Sequence, residues 1–133
     1  MRIETEIKLD FSDVLLKPKR STLSSRRSVN LERNFTFRHW VENPATWQGV
    51  PIMASNMDGV GTFSMAKVLQ KYNMLTILKK HYTITDWEKA IGDGLSLSNI
   101  AVSTGTNAIF DPDAEDYKTA KAVLRKWPDI KFI

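Results

Sequence analysis

From Gly49 onward, short apolar runs alternate with segments of helical spacing, and no other feature restricts the fold as strongly. The runs are Val50-Pro51-Ile52-Met53-Ala54, Met74 to Leu78, Ile100-Ala101-Val102-Ser103 and Ile130 to Ile133. The first reads as a strand buried on both faces. Thr62 to Tyr72 places Met65, Ala66, Leu69 and Tyr72 along one side of a helix. Thr85-Asp86-Trp87-Glu88 has the capping-box pattern, with Thr85 and Glu88 satisfying two orphan amides, and that helix should end near Gly92 or Gly94. Asp111-Pro112-Asp113 opens a third helix with Tyr117, Ala120, Leu124 and Trp127 at helical spacing, and Pro128 stops it. The order β-α-β-α-β-α-β calls for a parallel α/β sheet, closed either as an open doubly wound sheet or as a barrel. Each β-α unit occupies roughly 25–30 residues, and a (β/α)8 TIM barrel needs eight units and about 250 residues. About three units are therefore present. The chain stops inside an apolar run, so the expectation is a portion of something longer.

The first part of the chain follows a different pattern. Phe11 to Ser28 is irregular, punctuated by Pro18 and serines. In residues 29–37, Val29, Leu31, Phe35 and Phe37 share one face while Asn30, Glu32, Asn34 and Thr36 share the other, as in a half-buried strand or hairpin arm. Val-Glu-Asn-Pro-Ala-Thr-Trp-Gln-Gly then reads as a polar loop, broken at Asn43-Pro44. The domain expectation is one partial barrel over 1–133: an arm and strand or hairpin over 1–48, and the first β/α units over 49–133.

Composition excludes several classes. The hydrophobic fraction of 42% and charged fraction of 26% suit a globular protein rather than a disordered one. No apolar run reaches the ~18–20 residues that cross a bilayer, and the first ten residues mix acid and base without a signal-peptide core. With no cysteine, disulfides and thiolate metal sites are absent from this stretch, and the remaining residues form no metal constellation. The location that fits is the cytoplasm. The net charge of +4 is concentrated, with Lys17, Lys19, Arg20, Arg26 and Arg27 inside eleven residues. Three readings of this arm stand open: a solvated loop, a nucleic-acid patch that lacks interleaved aromatics, and a phosphate-binding arm for a dinucleotide.

In parallel architectures, functional groups gather at the C-terminal ends of strands. Three segments occupy that position. Ser55 to Thr62 contains Gly59-x-Gly61, but Ser64 takes the third place of a dinucleotide fingerprint and no acidic residue stands where a ribose needs one. Lys79-Lys80-His81-Tyr82 follows the run ending at Leu78; a lysine there can pair with a carboxylate, donate a proton or hold an anion, or simply face solvent. Ser103-Thr104-Gly105-Thr106 suits close backbone approach to a ligand. His39 and the four tryptophans show no ligand-like spacing and read as packing or surface residues.

Taken in order, these segments resemble the GMP reductase family, relatives of IMP dehydrogenase. The resemblance is carried by Phe11-Ser12-Asp13-Val14-Leu15-Leu16-Lys17-Pro18-Lys19-Arg20-Ser21-Thr22-Leu23 and Ser25-Arg26. Gly49-Val50-Pro51-Ile52, Asn56-Met57-Asp58, Val60-Gly61-Thr62-Phe63 and Lys80-His81-Tyr82 continue it over nearly the whole chain. The Asp-Val-Leu-Leu opening and the Met-Asp turn are shared with IMP dehydrogenase, whereas Lys80-His81-Tyr82 looks like the reductase branch.

The resemblance implies NADPH-dependent reductive deamination of GMP to IMP and ammonia, a step of purine metabolism, by an oxidoreductase that is a cytoplasmic homotetramer. A cysteine thiolate adds to purine C2, ammonia departs, and hydride reduces the intermediate. The same resemblance implies that Lys80 is catalytic and lies beside an aspartate and the nicotinamide. It sets Ser25 and Arg26 against the NADPH of a neighbouring subunit, and Asn56 and Met57 along the nucleotide pocket. No nucleic-acid or membrane partner follows from it. The cysteine nucleophile, the partner aspartate, the potassium site and the main phosphate loops are expected beyond Ile133, so the 133 residues alone are expected to be inactive. Gly59 stands where the family usually has threonine, Lys79 where it usually has histidine, and Asn107 to Glu115 is longer than usual. The alternatives are IMP dehydrogenase, whose inserted regulatory domain should interrupt the chain near the third strand, and a non-catalytic basic binding module using Lys17 to Arg27.

Overall fold

A computed structural model describes residues 6–37, 46–106, 111 and 113–133. His39, the Asn43-Pro44 breaker and most of the long stretch after Thr106 lie outside the described residues. The chain divides into two compact units, Met1–Asn30 and Leu31–Ile133.

The first unit is irregular, as Pro18 and the serines imply. Two short turns punctuate it. Asp10 caps Phe11–Asp13 reciprocally: its carboxylate accepts from the Phe11 amide at 2.7 Å, while Asp13 accepts from the Asp10 amide at 2.9 Å. Ser25 caps Arg26–Ser28, its Oγ accepting from the Arg27 amide at 3.2 Å.

In the second unit, β1 (Arg33–Thr36) pairs antiparallel with β2 (Thr46–Gly49), placing Phe35 opposite Trp47 with their rings stacked at 5.8 Å. This corrects two expectations. Thr46 to Gly49 is strand rather than polar loop, because Trp47 gains a cross-strand aromatic partner that composition does not reveal. The alternating face of 29–37 is not a buried one either: only Phe35 is half-buried, while Leu31 and Phe37 are exposed.

The β-α alternation is present as a mixed α/β fold with a small parallel sheet. β3 (Met53–Ala54), β4 (Leu75–Ile77) and β5 (Ile100–Ala101) lie in that order, with Ala54 beside Thr76 and Ile77 beside Ala101. The reading of 50–54 as buried on both faces fails. Val50 and Ala54 are buried, but Ile52 and Met53 are 55% and 61% exposed, since β3 is an edge strand paired only with β4 among the described residues. The fourth run also differs: 130–133 forms no strand, though the Val102 amide donates to the Phe132 carbonyl at 3.0 Å alongside β5.

Three helices share a core with this sheet: α1 (Phe63–Leu69), α2 (Ile84–Gly92) and α3 (Glu115–Lys126). Leu78, Ile100 and Val102 meet Ala66, Trp87, Ala90, Ala120, Val123 and Ile130 in one buried cluster. Trp87 is its largest member, edge-on to Phe63 at 5.3 Å and stacked near Trp127 at 6.2 Å. Of the stripe expected on α1, only Ala66 is fully buried; Met65 and Tyr72 are exposed, because Phe63 turns inward to stack on Tyr82 at 3.9 Å. α3 starts after Ala114, later than the Asp-Pro-Asp opener, and stops before Pro128 as expected.

α2 ends at Gly92 as expected, but its cap lies two residues before the expected pair. Thr83 Oγ1 accepts from the Asp86 amide at 3.2 Å and Asp86 accepts from the Thr83 amide at 2.9 Å, while Glu88 instead pairs with Lys126 on α3. The Thr83 hydroxyl, then its amide, holds the Asp86 carboxyl below the usual aspartate range, burial opposing and Lys89 adding to the effect. A carboxyl depressed on folding contributes stability above its unfolded pKa, and that contribution is lost as pH falls through the folded value. Urea titrations between about pH 6 and pH 3 should show wild type losing more stability than Asp86→Asn. An equal loss would remove Asp86 from the acid response.

Candidate functional site

Because the three strands are parallel, the segments that follow them emerge at one end of the sheet. Hydrogen bonds join them there. The Lys79 amide donates to the Gly61 carbonyl at 2.9 Å, and Ser103 Oγ donates to the Leu78 carbonyl at 2.5 Å. The expected gathering of 56–59, 79–81 and 103–105 at one sheet end is therefore observed.

The Gly59-x-Gly61 pair has a packing role. A Cβ on Gly61 would strike the Ile77 carbonyl and come within 2.8 Å of the Ser55 carbonyl, whereas Gly59 has open space around it. The turn closes on Met57, whose carbonyl accepts from the Val60 and Gly61 amides at 2.9 and 2.7 Å. Asn56 and Met57 are both exposed, Met57 by 62%.

The two lysines diverge, as neighbours in extended backbone do. Lys79 Nζ lies 3.7 Å from Asp58 Oδ1 and 5.2 Å from the Tyr82 ring centre, so it ties the 55–62 turn to its own loop. Lys80 Nζ turns instead toward α3, 3.3 Å from Asp116 Oδ2. That oxygen also accepts from the Gly105 amide at 2.7 Å, and Asp116 Oδ1 accepts from the Tyr117 amide at 3.0 Å. The Gly105 amide is the main cause holding the Asp116 carboxyl below the usual aspartate range; burial opposes, and Lys80 and the Tyr117 amide lower it further. A Cβ at residue 105 would sit 2.7 Å from Asp116 Oδ2 and 3.3 Å from Lys80 Nζ, so these side-chain ends would have to shift to admit it.

These groups border an open cavity of about 640 Å³ whose polar lining includes Lys80, His81, Thr83, Thr106, Glu115 and Asp116. An ammonium, an imidazole and carboxylates around one cleft can bind a polar ligand and move protons. Among the described residues, no group of three or more His, Asp or Glu gathers as a metal site, and no helix is long and apolar enough to cross a membrane. Ser25 and Arg26 belong to the first unit, where both are exposed. Asp116 and Gly105 were missed as a pair by sequence reasoning. The available signal was an acid in the first turn of the helix that follows the third strand, where it faces the strand-end loops.

No protein-family model matches the chain. Among curated proteins, it is 46% identical over 135 residues to a GMP reductase of Vibrio cholerae, covering 100% of the chain and 36% of that protein. A GMP reductase of Klebsiella pneumoniae is 49% identical over 136 residues with the same coverage, and one of Escherichia coli is 47% identical over 135. The chain thus spans 36% of the length of the curated relatives it matches. End to end, it is homologous to the GMP reductases, as an N-terminal portion of such a protein would be.

Proposed function

We propose that the chain supplies the first β/α units of the (β/α)8 barrel of an NADPH-dependent GMP reductase, an oxidoreductase of purine metabolism working as a cytoplasmic homotetramer. Within that reading, 1–48 form the arm and hairpin and 49–133 the barrel portion. One observation carries it: the match to a GMP reductase extends over the whole chain at 46% identity. The overall reaction replaces the C2 amine of GMP by hydrogen and yields IMP and ammonia. NADPH, when bound, supplies the hydride. The 133 residues contain no cysteine, so a thiolate nucleophile has to come from outside them, and without it they are inactive in this reaction.

The residues present suit these ligands chemically. Lys80 offers an ammonium at the cleft, able to hand a proton to the departing amine. Asn56 and Met57 offer an amide and a polarizable surface for a purine nucleotide. Ser25 Oγ uses a lone pair on the Arg27 amide, which leaves its hydroxyl hydrogen as a donor for a phosphate oxygen. The exposed Arg26 guanidinium adds a planar, charged donor set of the kind that pyrophosphate and 2′-phosphate groups favour.

GMP-dependent oxidation of NADPH by the complete protein tests the reading. Arg26→Ala should raise the apparent KM for NADPH by about tenfold, the scale of a charge-assisted hydrogen bond, with little change in kcat. Unchanged NADPH kinetics together with salt-sensitive nucleic-acid binding lost in Arg26→Ala would overturn it in favour of a basic binding module.

A further inference from the structure

We propose that Gly61 is a positioning residue: it sets where the turn carrying Asn56 and Met57 stands against the loop that carries Lys80. The consequence for GMP binding rests on the GMP reductase reading, but the placement of the turn does not.

Gly61 is buried, and each part of it is engaged. Its amide donates to the Met57 carbonyl at 2.7 Å and closes the turn. Its carbonyl accepts from the Lys79 amide at 2.9 Å, which fixes the residue just before Lys80. Its Cα supplies the third constraint. A Cβ there would meet the Ile77 carbonyl on β4 and stand 2.8 Å from the Ser55 carbonyl and 2.9 Å from the Asn56 Cα. All three are main-chain atoms, so no side chain can swing aside to make room. Because β4 is held between β3 and β5, the turn is the part that has to yield. Asn56 and Met57, both exposed, would move with it. Gly59, two residues earlier in the same turn, has open space around it and carries no such constraint. Gly49 is the converse case. A Cβ on it would meet the Trp47 ring and the Asn73 carbonyl, but at the end of the sheet where β3 and β4 begin.

Three glycine-to-alanine variants of the complete protein form the test, each followed by GMP-dependent NADPH oxidation and by urea unfolding. Gly61→Ala should raise the KM for GMP by about tenfold, within the loss that a misplacement of about 1 Å can cause, and leave the KM for NADPH unchanged. Gly49→Ala should lower the urea midpoint with no change in the KM for GMP. Gly59→Ala should change neither. An unchanged KM for GMP in Gly61→Ala, or an equal rise in Gly49→Ala or Gly59→Ala, overturns the proposal.

Hydrogen exchange tests the placement without GMP or turnover. In the folded 133-residue chain, Gly61→Ala should speed exchange at the Lys79 amide by about fivefold, the scale of one hydrogen bond, and Gly59→Ala should not. Unchanged exchange in Gly61→Ala overturns the proposal. If Gly61→Ala does not fold, wild type decides: the Gly61 and Lys79 amides should open together with equal protection, and unequal protection overturns it. A wild-type complete protein that does not oxidise NADPH with GMP would instead remove the GMP reductase reading, and the exchange result would stand apart from that.

Discussion

In the complete protein, Lys80→Met is expected to lower GMP turnover at least about a hundredfold, while Lys79→Met changes it little. Methionine keeps most of the apolar stem and removes the charge, so the comparison isolates the ammonium. Both lysines leave the same strand end, but their side chains diverge: Lys79 toward Asp58 and Tyr82, Lys80 toward Asp116 and the cleft. If Lys80 delivers a proton as the purine C2 amine departs, its removal takes away an effect typically worth ~10²–10⁴-fold. Folding should be preserved, since it does not depend on an ammonium that is 42% exposed. Steady-state kinetics of both variants decide the matter. Comparable mild effects at the two positions would mean that the pair is merely solvated.

The largest effect on stability is expected at Trp87. It is 2% exposed, and its indole joins Phe63 on α1, Trp127 beyond α3 and the sheet-facing side of α2. Trp87→Ala removes a large buried ring that packs against Phe63 on α1 and Trp127 just past α3, and neighbours on different elements cannot all collapse into the gap. Losses of about 3–5 kcal/mol are usual for such truncations. A domain of this size is typically stable by only about 5–15 kcal/mol, so a large share of the total is at stake. Trp127→Ala, at a half-buried position, should cost clearly less. Urea unfolding followed by far-ultraviolet circular dichroism gives both values, and a Trp87→Ala cost no greater than that of Trp127→Ala would mean that the cluster is centred elsewhere.

Some of this was legible in the residues. The spacing of the apolar runs determined the β-α alternation and parallel pairing, because successive parallel strands need helical crossovers and helices and strands have different apolar periods. Gly92 and Pro128 marked helix ends that the structure also shows, since local backbone chemistry governs termination. The placement of Lys80 after the second run was equally visible, and so was the order of motifs that links the chain to the GMP reductases.

Tertiary structure decided what depends on partners distant in sequence. Trp47 became part of a strand because Phe35 lies opposite it, and Met53 stayed exposed because β3 is paired only with β4 among the described residues. Thr83 rather than Thr85 caps α2, since the two patterns are equivalent on paper and Glu88 is engaged by Lys126 from α3. The two lysines read as identical neighbours until Asp58 and Asp116 came to opposite sides of them. Asp116 reaches Lys80 across 36 residues, and Gly105 reaches the same oxygen across eleven. Hydrophobic periodicity reports which face of an element is buried, but it carries no information about which charges a folded chain brings within hydrogen-bonding distance.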